Sequence, residues 1–108
     1  MEEFDKITSQ MKKGVLEYLI LAIVEQGSVY ASDILAKLKE SNLLIVEGTL
    51  YPLLSRIKTE GSVQYNRVES LQGPPRKYYT LTTKGTRLLE HMRSTRSDLA
   101  KAVNTIDK

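Results

Sequence analysis

The 108-residue chain has no cysteine, no tryptophan, one histidine and one phenylalanine. Without thiols it can hold no disulfide framework, no thiolate zinc site, no iron–sulfur cluster and no cysteine nucleophile, and it fits a reducing, cytoplasmic setting. His91 stands alone, so neither a Ser-His-Asp set nor a His-x-x-x-His metal pair can be assembled, and the adjacent Glu90 diverges from it on a helix. These gaps argue against an enzyme and against a metal or other cofactor. Long apolar runs are missing too. The longest, Tyr18 to Val24, is far short of the roughly 18 residues of a membrane span and follows Glu17 directly, so no membrane partner is expected. The opening Met1-Glu2-Glu3-Phe4-Asp5 is acidic where an export signal is basic.

What is present suits one ordinary domain with a modest core: 41% hydrophobic and 27% charged residues, with a net charge of +3. The charge is unevenly placed. Residues 1–46 carry net −2, residues 47–91 net +3 and residues 92–108 net +2, which suggests an acidic support region and a basic contact region.

Hydrophobic spacing predicts a first helix from Asp5 to about Gln26, through Ile7, Met11, Val15, Tyr18, Leu19, Ala22 and Ile23. Gly27-Ser28 stops it. A short second helix is expected over Asp33–Glu40, ended by Ser41-Asn42, and a third from near Gly48 to Glu60, closed by Gly61, with Pro52 tolerated in its first turn. Val63–Glu69 and Lys77–Leu81, rich in Val, Tyr and Thr, flank Ser70 to Pro75 and read as a hairpin with a stiff tip, in which Gly73 to Lys77 is too rich in proline to pair as central strand and projects. Tyr78 and Tyr79 then point to opposite faces, one into the core and one over the wing. Thr82 or Thr83 caps a last helix carrying Leu88, Leu89, Met92, Leu99, Val103 and Ile106.

Three helices followed by a hairpin is the order of a winged helix-turn-helix. The expected fold is mainly α with a β-hairpin wing. A winged helix-turn-helix DNA-binding domain with an N-terminal support helix occupies 1–82, and a C-terminal dimerisation helix occupies 83–108. On the third helix Leu50, Leu53, Leu54 and Ile57 form an inward stripe, which leaves Thr49, Tyr51, Pro52, Ser55, Arg56 and Thr59 outside. Thr49, Tyr51 and Ser55 can donate to phosphates or base edges, Arg56 can reach guanine, and Arg76 and Lys77 on the wing can meet phosphates of double-stranded operator DNA. The same face would also serve a winged-helix protein-interaction module without DNA binding, docked on an acidic protein surface.

Two stretches carry a family resemblance. Glu47-Gly48-Thr49-Leu50-Tyr51-Pro52-Leu53-Leu54 with Arg56 and Glu60-Gly61, and Gly73-Pro74-Pro75-Arg76-Lys77-Tyr78-Tyr79 with Leu81-Thr82 and Lys84-Gly85, resemble the PadR family of bacterial transcriptional regulators, in its short branch with one C-terminal helix. The likeness runs from about Gly14 to Met92. It implies a dimeric repressor with Tyr51 and Arg56 on the recognition helix, Arg76 and Lys77 on the wing, and release by a small molecule. Tyr30-Ala31-Ser32-Asp33-Ile34 departs from the family's Tyr-Gly-Tyr start of the second helix, and Ser32 is expected to cap there. Some short members hold planar drugs between tryptophans; this chain has none, so ligand type does not carry over.

Met92, Leu99 and Ile106 recur every seven residues on a helix too long for a compact winged domain to cover. A homodimer is expected to bury Leu88, Met92, Leu99, Val103 and Ile106 against Phe4, Ile7 and Met11 of the partner. Arg96 and Thr95 interrupt that seam. It leaves room for a small apolar or aromatic effector among Met11, Val15, Tyr18, Met92 and Leu99.

Overall fold

The structure, a computed structural model, describes residues 2–70 and 72–107. Met1 of the acidic opening and Leu71 of the hairpin tip lie outside the described residues. The elements run α1 (Glu2–Glu25), α2 (Ala31–Glu40), α3 (Glu47–Thr59), β1 (Val63–Ser70), β2 (Gly73–Leu81) and α4 (Thr83–Ile106), the expected winged-helix order.

The core forms where apolar stripes converge. Leu16, Ile20, Leu21 and Val24 of α1 meet Ile34 and Leu38 of α2, Leu50, Leu54 and Ile57 of α3, Val63 and Tyr79 of the wing, and Leu89 of α4. Each such aliphatic side chain contributes about 1.5–3 kcal/mol on burial. Leu53 is half-buried at the rim of this cluster.

Local chemistry sets the ends of the elements, and in three places it differs from expectation. Helix α2 starts at Ala31, because the Asp33 carboxylate accepts the Tyr30 N–H at 2.9 Å; Ser32 lies inside the first turn and is not the cap. At its other end Asn42 takes a left-handed conformation, φ 64°, and the Leu43 N–H reaches back to the Leu38 carbonyl at 2.8 Å. Helix α3 begins at Glu47, which moves Pro52 into the second turn. Its missing N–H removes the i→i−4 donor of the Gly48 carbonyl, and both residues are exposed, so that carbonyl stays open to solvent.

The third difference is the wing. Strand β2 begins at Gly73, so the prolines lie within the second strand of the hairpin, at an irregularity in its register. Val68 faces Arg76 and Ser70 faces Gly73, so Pro74 and Pro75 stand against the single residue Glu69. A bulge in a two-stranded ribbon, where both strands are edges, tolerates residues without a donor. Val29 adds an isolated third rung by exchanging two backbone hydrogen bonds with Tyr79, at 3.2 and 2.8 Å.

The start of α4 is locked to the end of α3. The Thr82 hydroxyl caps α4 by accepting the Gly85 N–H at 3.0 Å, and the Lys84 ammonium donates to the Glu60 carbonyl. A Cβ on Gly85 would stand 1.9 Å from the Ser62 carbonyl oxygen, so only glycine permits this approach. Glu60-Gly61 and Thr82-Lys84-Gly85, far apart in sequence, are thus two sides of one contact. Beyond it α4 leaves the core: its only buried residues are Gly85 and Leu89. The radius of gyration, 15.7 Å, exceeds the about 13 Å of a compact chain this long, and the projecting ends of α1 and α4 account for the excess.

Candidate nucleic-acid interface

Helix α3 turns Leu50, Leu54 and Ile57 fully inward, which leaves Thr49, Tyr51, Pro52, Ser55, Arg56 and Thr59 exposed. Tyr51 and the start of α2 face the wing across a groove of about 370 Å³, lined by Tyr30, Ala31, Ser32, Tyr51, Pro75, Arg76, Lys77 and Tyr79. Tyr79 is the inward tyrosine, and burial pushes its hydroxyl pKa up. Tyr78 is half-buried and stacks on Tyr30, with ring centroids 3.9 Å apart. The Tyr30 hydroxyl pKa is raised, first by its hydrogen bond with Tyr78.

The wing cations rest on aromatic faces. The Arg76 guanidinium lies 5.1 Å from the Tyr30 ring centroid, and the Lys77 ammonium 4.7 Å from that of Tyr65, which Lys58 of α3 also approaches at 5.1 Å. Arg76 and Lys77 are both exposed, so their charges are held in position and remain open to solvent.

Arg56, expected to reach guanine, is engaged in ion pairs within the chain. Its guanidinium donates to both carboxylate oxygens of Glu60, at 2.9 and 3.0 Å, and to Glu17 on α1. These two partners raise its pKa, Glu17 foremost. The Glu60 partner was readable as an i,i+4 pair on one helix. Glu17, thirty-nine positions away, had no local signal.

At the opposite end, α1 and α4 run side by side. Phe4, Ile7, Met11, Leu99, Val103 and Ile106 are exposed, while Leu88 and Met92 are half-buried. A groove of about 530 Å³ between the helices is lined by Val15, Tyr18, Met92 and Leu99 together with Leu88 and Val103; Met11, expected in the same group, is not among its lining residues. Arg93 of α4 makes a forked pair to Glu25 of α1, at 2.7 and 3.1 Å, and Arg96 lies 6.0 Å from the Tyr18 ring centroid.

A sequence profile described as the Transcriptional regulator PadR-like family matches residues 20–91. The chain belongs to the PadR-like family. It is a transcriptional regulator and not an enzyme. Solved structures agree. A PadR-like transcription factor from Bacteroides fragilis is 51% identical, with a TM-score of 0.81 over 94% of this chain and 99% of that one. A PadR-like transcriptional regulator from Bacillus cereus is 37% identical, with a TM-score of 0.81 over 92% and 97%. Bacillus subtilis PadR, solved in complex with operator DNA, is 27% identical, with a TM-score of 0.67 over 72% of this chain and 46% of that one. A comparison with curated proteins gives no match. Among the described residues of this PadR-like chain, no helix is long and apolar enough to cross a membrane.

Proposed function

We propose that this PadR-like regulator is a dimeric, sequence-specific repressor that binds a double-stranded operator and is released by a small apolar or aromatic effector. The observation that carries the reading is the polar face of α3, which stands open beside a wing whose two cations are braced on tyrosines. Thr49, Tyr51, Pro52 and Ser55 enter the major groove, while Arg76 and Lys77 meet phosphates of the flanking backbone. Arg56 acts through its ion pairs and positions α3 against α1. The B. subtilis relative in complex with operator DNA supports this use of the shared fold.

Dimerisation follows from the exposed stripes of α1 and α4, and two linked readers match two half-sites about one helical turn apart. The groove at Val15, Tyr18, Met92 and Leu99, with Met11 beside the seam, receives the effector. To release DNA, the effector must favour the arrangement that cannot bind, by about 1.4 kcal/mol for each tenfold loss of affinity.

The test is duplex binding as a function of salt, first with random DNA and then with fragments recovered from the genome. Affinity falling steeply with salt, and a recovered fragment bound far more tightly than random duplex, are the expected results. Salt-insensitive binding with no sequence preference would reject the reading in favour of a protein-interaction module. Compounds that raise the melting temperature yet leave operator affinity unchanged would remove the effector alone.

A further inference from the structure

The wing lies on one side of α3; the other side is bordered by the middle of α1. One cleft of about 380 Å³ is lined by Lys13 and Leu16 of α1 with Thr49, Pro52, Leu53 and Arg56 of α3. A second, of about 200 Å³, brings Ser9, Lys12 and Lys13 to Thr49 and the turn before α3. Lys13 therefore stands beside the first turns of the recognition helix, where the helix dipole also presents positive charge.

Its charge is uncommitted. Glu17, four positions on, is its natural helical partner, but Glu17 pairs with Arg56. Among the described residues neither Lys12 nor Lys13 makes an ion pair. The effect is an exchange: Arg56 on α3 is neutralised by Glu17 and Glu60, and the free cation on that side belongs to α1. Lys13 also points away from the apolar stripe. Two residues from both Met11 and Val15, it lies about 200° round the helix from either.

We infer that Lys12 and Lys13 form a second phosphate-contacting edge for duplex DNA, so that α3 is flanked by cations of the wing on one side and of α1 on the other. This rests on the DNA-binding reading above. It gives α1 two jobs, with Lys13 on the face turned away from the apolar stripe, and makes the Arg56–Glu17 pair the reason that one of them is available.

The experiment compares the parent, Lys13→Gln and Lys12→Gln/Lys13→Gln in titrations of random and operator duplex across salt concentrations. The slope of log affinity against log salt should become shallower by about 0.9 for each lysine removed. Operator and random DNA should weaken in proportion, with melting temperature and sedimentation unchanged. A parent without salt-dependent duplex binding would sink the DNA reading itself. A steep parent slope that the double variant retains would overturn this inference alone, as would a loss traced to altered sedimentation.

Discussion

Helices α3 and α4 are both amphipathic, and only one is closed by its own chain. The apolar side of α3 is sealed: Leu50, Leu54 and Ile57 are fully buried against α1, α2 and the wing. On α4 the apolar stripe starts in the core at Leu89 and ends in solvent, where Leu99 is 61% and Ile106 83% exposed. Amphipathicity reports that a face needs cover, not what supplies it. At α3 the supplier is the rest of the fold, and the uncovered polar face is left to recognise something else. On α4 the described residues leave Leu99, Val103 and Ile106 exposed, so the proposed cover is a second copy.

The sharpest way to break this contrast is Leu99→Lys with Val103→Lys. Sedimentation should show a monomer, and operator affinity should fall by on the order of a hundredfold or more as one of two linked readers is lost. The parent's melting temperature should rise with protein concentration, and that dependence should vanish in the variant. A parent already monomeric at micromolar concentration would remove the distinction between the helices.

Substitutions at two glycines probe the closed end against the open one with the same added methyl. At Gly85 the new Cβ must displace the Ser62 carbonyl, and Gly85→Ala should cost about 3 kcal/mol in chemical denaturation. At Gly14, on α1 in the open groove, a Cβ meets nothing within 4 Å, so Gly14→Ala should stabilise the isolated chain by up to about 1 kcal/mol through helix propensity. Equal effects would mean that the two ends are packed alike.

Tyr51→Ala separates recognition from stability on α3 itself. Operator binding should weaken by about 1–3 kcal/mol, measured by titration, while denaturation changes little, because the side chain is outside the core.

The smallest effect concerns the latch between α1 and α4. The hydrogen bonds from Arg93 hold the Glu25 carboxyl below its usual range. A depressed folded pKa gives stability that is present above the unfolded value, about 4.3, and is lost as pH falls through the folded one. Glu25→Gln should therefore unfold slightly more easily than the parent at neutral pH. Thermal melts should converge in acid.

Much of the fold was legible because its signals are local. Helical spacing, Gly61 after α3 and Thr82 before α4 need only near neighbours to act. The exposed face of α3 followed from the same periodicity, and Thr49, Tyr51 and Ser55 stand where spacing put them. The second strand of the wing starts earlier than its composition suggested, because proline's missing donor matters only where the partner strand needs it, and the bulge opposite Glu69 removes that need. The ion pairs of Arg56 were not legible in full, because charge pairing depends on what the other helices bring near it.

The residues alone determined the number and order of the elements, the inward and outward faces of each helix, and the stripe of α4 that outruns its core, since backbone preference and hydrophobic period act over a few positions. Tertiary structure alone decided that Glu17 takes Arg56 and leaves Lys13 free, that Tyr79 enters the core while Tyr78 stacks on Tyr30, and that α4 can start only from a glycine against Ser62. Those outcomes depend on distances between segments far apart in the chain. Coulombic attraction, ring stacking and steric exclusion act over a few ångströms of space, whatever the separation in sequence.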